Sequence, residues 1–119
     1  MIIEDEEDIL TLYRDYLSQR GHNVVSSSLD AGNVLINFEK SNPDICLIDY
    51  VVQGKATGLE AAAKILQKSP STPILITTAF ESINKELPKH PEFTDKRIRV
   101  LMKPARLLEI ENSILDMVN

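Results

Sequence analysis

The chain has 119 residues, of which 43% are apolar, 26% charged and 5% aromatic. That length leaves room for one ordinary hydrophobic core, so a single domain over residues 1–119 is expected, with no second catalytic or output domain. Acidic side chains outnumber basic ones 18 to 13, giving a formal charge of -5, and no stretch is basic enough to suggest direct nucleic-acid binding. The longest uninterrupted apolar run, Ile45 to Ile48, is far short of the ~20 residues that a membrane span needs. The acidic turn after Met1-Ile2-Ile3 is unlike a secretion signal, and the single cysteine, Cys46, cannot make an internal disulfide. A cytoplasmic location without membrane association is therefore expected, with Cys46 as core packing.

Short β-rich apolar segments alternate with longer segments of helical period, the pattern of a parallel sheet covered on both faces. The first strand is Met1 to Ile3, followed by a helix from about Glu6 to Arg20 that spaces Ile9, Leu12, Tyr13, Tyr16 and Leu17 helically and stops at Gly21. His22 to Ser26 reads as the second strand. The next helix carries Ala31, Val34, Leu35 and Phe38 on one stripe and ends before Pro43. Ile45 to Ile48 is apolar on consecutive residues, which marks a central strand buried on both faces. Beyond a loop through Gly54 and Gly58, the stripe Leu59, Ala62, Ala63 and Leu66 finishes at Ser69-Pro70, and Ile74 to Thr77 forms the fourth strand. Between Glu81 and Arg97, Pro88 and Pro91 forbid a long helix, so a short one from about Ser82 to Leu87 and an irregular loop are expected. Arg99 to Met102 is the fifth strand, and a last helix from about Ala105 places Leu107, Ile110, Ile114 and Val118 on one face.

In an open doubly wound sheet, ligands bind beyond the carboxyl ends of the strands. Here those ends are Glu4-Asp5, Asp49, Thr77-Thr78 and Met102-Lys103-Pro104. Three carboxylates, a hydroxyl and an ammonium would then converge. Carboxylates packed together repel and resist ionisation unless a cation joins them, and a hard divalent ion such as Mg²⁺ suits Glu4, Asp5 and Asp49. No His or Cys stands at these ends, which disfavours zinc. An aspartate beside a cation can attack phosphorus, with Lys103 and Thr78 placed for the phosphoryl oxygens. Singly, each residue is an ordinary turn or cap, and Glu6, Glu7 and Asp8 read as first-turn helix charges. Their joint placement at four of five strand ends is what points to a site. Thr77 faces the other side of its strand from Thr78 and is expected to be structural. His22 and His90 lie away from the cluster and are expected to be solvated or capping.

Four separated motifs, Ile3-Glu4-Asp5-Glu6, Leu47-Ile48-Asp49-Tyr50, Pro73 through Ala79, and Met102-Lys103-Pro104, make nearly the whole chain resemble the receiver domain of two-component response regulators. The resemblance implies an α/β fold: a doubly wound five-stranded parallel sheet of flavodoxin-like order 2-1-3-4-5 with helices on both faces. It implies that Asp49 accepts a phosphoryl group from a sensor histidine kinase or phosphotransfer protein. Mg²⁺ would be held by Asp5, Asp49 and the backbone carbonyl of Val51, with Glu4 acting through a metal-bound water. Thr78 would move toward the phosphoryl group, Lys103 would pair with it, and the Lys103-Pro104 bond would be cis. The partners implied are that donor, an unidentified downstream protein and, as a further candidate, a second copy of the chain. Chemistry would be limited to the domain's own phosphorylation and dephosphorylation.

The sequence departs from the family pattern at Gln53, where Pro is usual, in a loop to Gly58 that is one residue longer than usual, at Val100, where an aromatic or His is usual, and in the fourth helix, which Pro88 and Pro91 interrupt. A degenerate receiver that docks without phosphorylation is the alternative these departures suggest. An aspartyl phosphatase would need a second Asp where Val51 stands, and a flavodoxin-like cofactor carrier would not place Glu4-Asp5-Glu6 against an anion. Val51 and Phe80, two residues beyond Asp49 and Thr78, are expected to flank an acyl phosphate and slow its hydrolysis.

Overall fold

Parallel neighbours cannot be joined by tight turns, so each strand must be followed by a crossover element that packs back on the sheet. The computed structural model, which describes residues 1–53 and 57–119, shows this alternation throughout. In chain order the elements are β1 (Ile2–Ile3), α1 (Glu7–Gln19), β2 (Ser27–Ser28), α2 (Val34–Ser41), β3 (Cys46–Asp49), α3 (Gly58–Lys68), β4 (Ile74–Thr78), α4 (Ile83–Glu86), β5 (Ile98–Met102) and α5 (Leu107–Val118). The five strands are parallel in the order β2-β1-β3-β4-β5. This is the doubly wound architecture expected from the sequence.

Strand alternation divides the core in two. Ile3, Ile48 and Ile76 face a cluster with Val34, Phe38, Ile65 and Ile83, under α2, α3 and α4. Ile2, Leu47 and Leu75 face the other, with Leu10, Tyr13, Leu17, Ile110, Ile114 and Met117, under α1 and α5. β1 is only two residues long, so its ladder is a minor contribution at about 0.5–1.5 kcal/mol net per hydrogen bond. Full burial of Ile2 and Ile3 is worth about 1.5–3 kcal/mol each and holds that short strand in the middle of the sheet. Gly21 follows α1 with φ 90, the left-handed conformation that glycine adopts without a Cβ penalty.

The structure corrects several sequence expectations. The second strand lies at Ser27–Ser28, not at His22 to Ser26, because pairing depends on backbone reach and not on apolar content. Residues 22–25 are used to climb from the end of α1 to the sheet edge, where Ser26 and Ser28 carbonyls accept from Ile2 and Glu4 amides at 2.9 and 3.1 Å. On α1 the stripe buries Leu10 beside Tyr13 and Leu17, whereas Leu12 is 52% exposed. On α5 Met117 joins Ile110 and Ile114 in the core, with Val118 at the exposed end of the stripe. Ala31 precedes α2 and packs against the first cluster from the loop. The 81–97 region carries the short helix expected, but its loop is ordered into two 3-10 turns, Leu87–Lys89 and Pro91–Phe93, with Phe93 buried. Gly54 lies outside the described residues.

His22 is not a free surface or capping residue. Its Nε2 lies 2.9 Å from Glu111 Oε2, while Arg20 Nε donates to Glu111 Oε1 at 3.0 Å. Glu111 is buried on α5, so this clasp ties the end of α1 to the last helix. The hydrogen bond with His22, acting against burial, and then Arg20 hold the Glu111 carboxyl below its ordinary range. A depressed carboxyl stabilises the fold above its unfolded-state value and loses that contribution as pH falls through the folded one. Glu111→Ala is therefore expected to lower the melting temperature at pH 7, with the gap from wild type closing as pH falls below the carboxylate range. Calorimetry across that range checks it.

Candidate functional site

Parallel strands end together, so residues remote in sequence meet at one sheet edge. Ile3 is in register with Ile48, Asp49 with Thr77, and Thr78 with Met102, which sets Glu4, Asp5, Asp49, Thr78 and Lys103 at successive carboxyl ends. The Lys103 amide donates to the Thr78 carbonyl at 2.7 Å. The Lys103-Pro104 peptide bond is cis.

One carboxylate oxygen each from Glu4, Asp5 and Asp49 lie within 4.8 Å of one another. Glu4 is 1% exposed and Asp49 8%, and Asp5 is half-buried. Lys103 Nζ reaches between them, 2.9 Å from Glu4 Oε1 and 3.5 Å from Asp49 Oδ2. The second Glu4 oxygen accepts from the Glu6 amide at 3.3 Å. Burial, then the charge of Glu4, raises the Asp49 carboxyl to about 7; Lys103 opposes this, while hydrogen bonding with Glu4 and the charge of Asp5 add to it. One ammonium thus pairs with two of three clustered carboxylates, all of them hard oxygen donors. That set fits Mg²⁺, which takes few protein carboxylates and keeps its remaining positions for water and phosphate.

Thr78 is buried and its hydroxyl oxygen accepts from the Phe80 amide at 3.0 Å. Thr77 is also buried. Val51 packs its side chain against the first cluster, whereas Phe80 is 55% exposed next to the site. Val100 is half-buried on β5, where it packs against the first cluster. Neither His22 nor His90 joins the carboxylates: His90 Nδ1 pairs with Glu92 at 3.0 Å.

Two contributors escaped the sequence reading. Gln53 has φ 54 and its amide donates to Asp5 Oδ2 at 2.7 Å. A proline there could neither donate nor adopt that angle, so the departure from the family pattern supplies a bond that orients Asp5. Gly58 starts α3 so close to β3 that a Cβ would stand 2.2 Å from the Asp49 carbonyl oxygen, and its amide donates to the Tyr50 carbonyl at 2.9 Å. Only glycine permits that approach. A backbone donor carries no side-chain signature, and a close approach shows only in three dimensions.

A family profile described as the response regulator receiver domain matches residues 1–114. The chain belongs to that family. The alkaline phosphatase synthesis transcriptional regulatory protein PhoP of Bacillus subtilis is 33% identical over 79 residues, which are 66% of this receiver and 32% of PhoP. The regulatory protein LuxO of Vibrio cholerae is 31% identical over 85 residues, 70% of this receiver and 18% of LuxO. The receiver thus spans a third or less of these curated relatives. Among solved structures, the receiver domain of NtrX from Brucella abortus superposes with a TM-score of 0.80 at 20% identity, covering 98% of this chain and 95% of that one. This agreement establishes the fold. No helix among the described residues is long and apolar enough to cross a membrane.

The raised Asp49 carboxyl has a consequence for the metal-free receiver. A group that binds its proton more tightly when folded adds stability below its unfolded value, and that contribution is lost as pH rises through the folded one, here about 7. In EDTA, wild type is expected to lose stability relative to Asp49→Asn as pH rises from about 4 to 7, as read by denaturant unfolding of both proteins.

Proposed function

We propose that this receiver accepts a phosphoryl group on Asp49 from a phosphohistidine of a sensor histidine kinase or phosphotransfer protein, and that its output is the binding of another protein. The observation that carries the reading is the buried Asp49 carboxylate beside Glu4, Asp5 and Lys103 at one strand edge. An Asp49 oxygen attacks phosphorus, a P–O bond forms, and the P–N bond to the donor imidazole breaks with its electron pair returning to nitrogen. The transition state is loose and its charge spreads over the equatorial oxygens, so positioning and neutralisation decide the rate. Lys103 lies close enough to Asp49 to pair with one such oxygen. The Thr78 hydroxyl, one residue past the register partner of Asp49, is the donor for another.

Asp5 and Asp49, with the Val51 carbonyl and Glu4 in support, would hold Mg²⁺, which when bound supplies the positive charge that three carboxylates and a phosphoryl group require. Val51 cannot act as an acid, so the acyl phosphate is a stored state and not a turnover intermediate. A new dianion at a buried strand end biases the neighbouring loops and thereby a binding surface.

Mass spectrometry after incubation with Mg²⁺ and a small phosphodonor tests this. One phosphoryl adduct is expected on wild type and none on Asp49→Asn. An undiminished adduct in the variant, or none on wild type, contradicts the proposal. Wild-type modification with partner binding that Asp49→Asn leaves unchanged would favour the phosphorylation-independent docking module.

A further inference from the structure

Lys103 reaches two carboxylates, and it reaches them unequally. Its Nζ is 2.9 Å from Glu4 Oε1, a hydrogen-bond distance, and 3.5 Å from Asp49 Oδ2, an ion-pair distance only. Glu4 is the more deeply buried of the two, and its other oxygen is already taken by the Glu6 amide at 3.3 Å. Both of its oxygens are therefore engaged without any metal. Asp5, by contrast, is turned toward the Gln53 amide at 2.7 Å. The two adjacent acids thus do different work: Asp5 accepts from the Gln53 amide, and Glu4 accepts from the lysine as well as from the Glu6 amide. Side-chain length explains the division, because an aspartate in place of Glu4 would be one methylene short of the ammonium.

Building on the proposed function, we infer that Glu4 is the resting partner of Lys103 and acts as a positioning residue: it holds the ammonium beside Asp49 without neutralising it, so that lysine and a divalent cation compete for the same buried carboxylate. When a cation draws on Glu4, the lysine is released toward Asp49, where a phosphoryl oxygen would need it. A buried carboxylate left without its cation is costly, so Glu4 gives up the lysine only as a divalent cation takes its place.

Two measurements test the pairing, and neither reads phosphorylation. In the first, Mg²⁺ alone is titrated and followed by tyrosine emission or amide chemical shifts. Lys103→Met keeps most of the stem and removes the charge. It is expected to tighten Mg²⁺ binding at least fivefold in wild type and in Asp49→Asn, but less than twofold in Glu4→Gln. An effect that survives in Glu4→Gln and vanishes in Asp49→Asn overturns the inference, as does a wild type that binds no Mg²⁺. In the second, double-mutant cycles by denaturant unfolding in EDTA compare the two pairs. Coupling between Glu4 and Lys103 is expected to exceed fivefold in the folding equilibrium constant and to exceed that between Asp49 and Lys103. Coupling below twofold, or a larger value for Asp49, overturns it. A missing phosphoryl adduct would remove the proposed function and leave this cycle standing, so the two can fail separately.

Discussion

Repulsion among Glu4, Asp5 and Asp49 is the constraint around which the strand ends are built. Two unit charges 4.8 Å apart repel by about 3–4 kcal/mol at an effective dielectric of 20, and three such pairs would consume much of the ~5–15 kcal/mol by which a domain is stable. The fold tolerates the cluster because Lys103 inserts its ammonium between Glu4 and Asp49, and because Asp49 retains a proton up to about pH 7. Both are partial remedies. The residual demand for positive charge is what a divalent cation would meet under the proposed function.

The sheet supplies the rigidity that such a cluster needs. β3 and β4 are buried along their whole length, and the short β1 is fixed between β2 and β3 by the burial of Ile2 and Ile3 on opposite faces. Gly58 then lets α3 begin directly against the Asp49 backbone, so Asp49 is confined by strand on both sides and by helix beneath. The other end of the molecule is held separately by Arg20, His22 and Glu111. Stability and the clustered charge therefore rest on different groups: the apolar clusters and the Glu111 clasp hold the domain, while the strand ends carry uncompensated charge.

Much of this was legible in the sequence, for identifiable reasons. Consecutive apolar residues at Ile45 to Ile48 mark a central parallel strand, and parallel strands end at a common edge, so Asp49, Thr78 and Lys103 are expected there together. What escaped depended on backbone reach. Val24 and Val25 look like strand residues, yet β2 forms at Ser27–Ser28, because the ladder is set by where the chain returns from Gly21. Leu12 fits a helical stripe as well as Leu10 does, and only the actual facing of α1 against α5 decides between them. The Glu111 partner of His22 lies 89 residues away in sequence, which no local pattern reveals. The Gln53 amide is a main-chain group, invisible to any reading of side chains.

The central claim is that far-separated carboxylates form one cation site at a single sheet edge. Its most direct test is paramagnetic: Mn²⁺, a stand-in for Mg²⁺, is added in substoichiometric amounts while amide signals are recorded by NMR. The account predicts that signals of Glu4, Asp5, Tyr50 and Lys103 are lost first and together, that those of Asp44 and Arg97 at the opposite edge persist, and that excess Mg²⁺ restores the spectrum. Broadening scattered over the exposed acids of α1 and α3, with the strand ends spared, would contradict it.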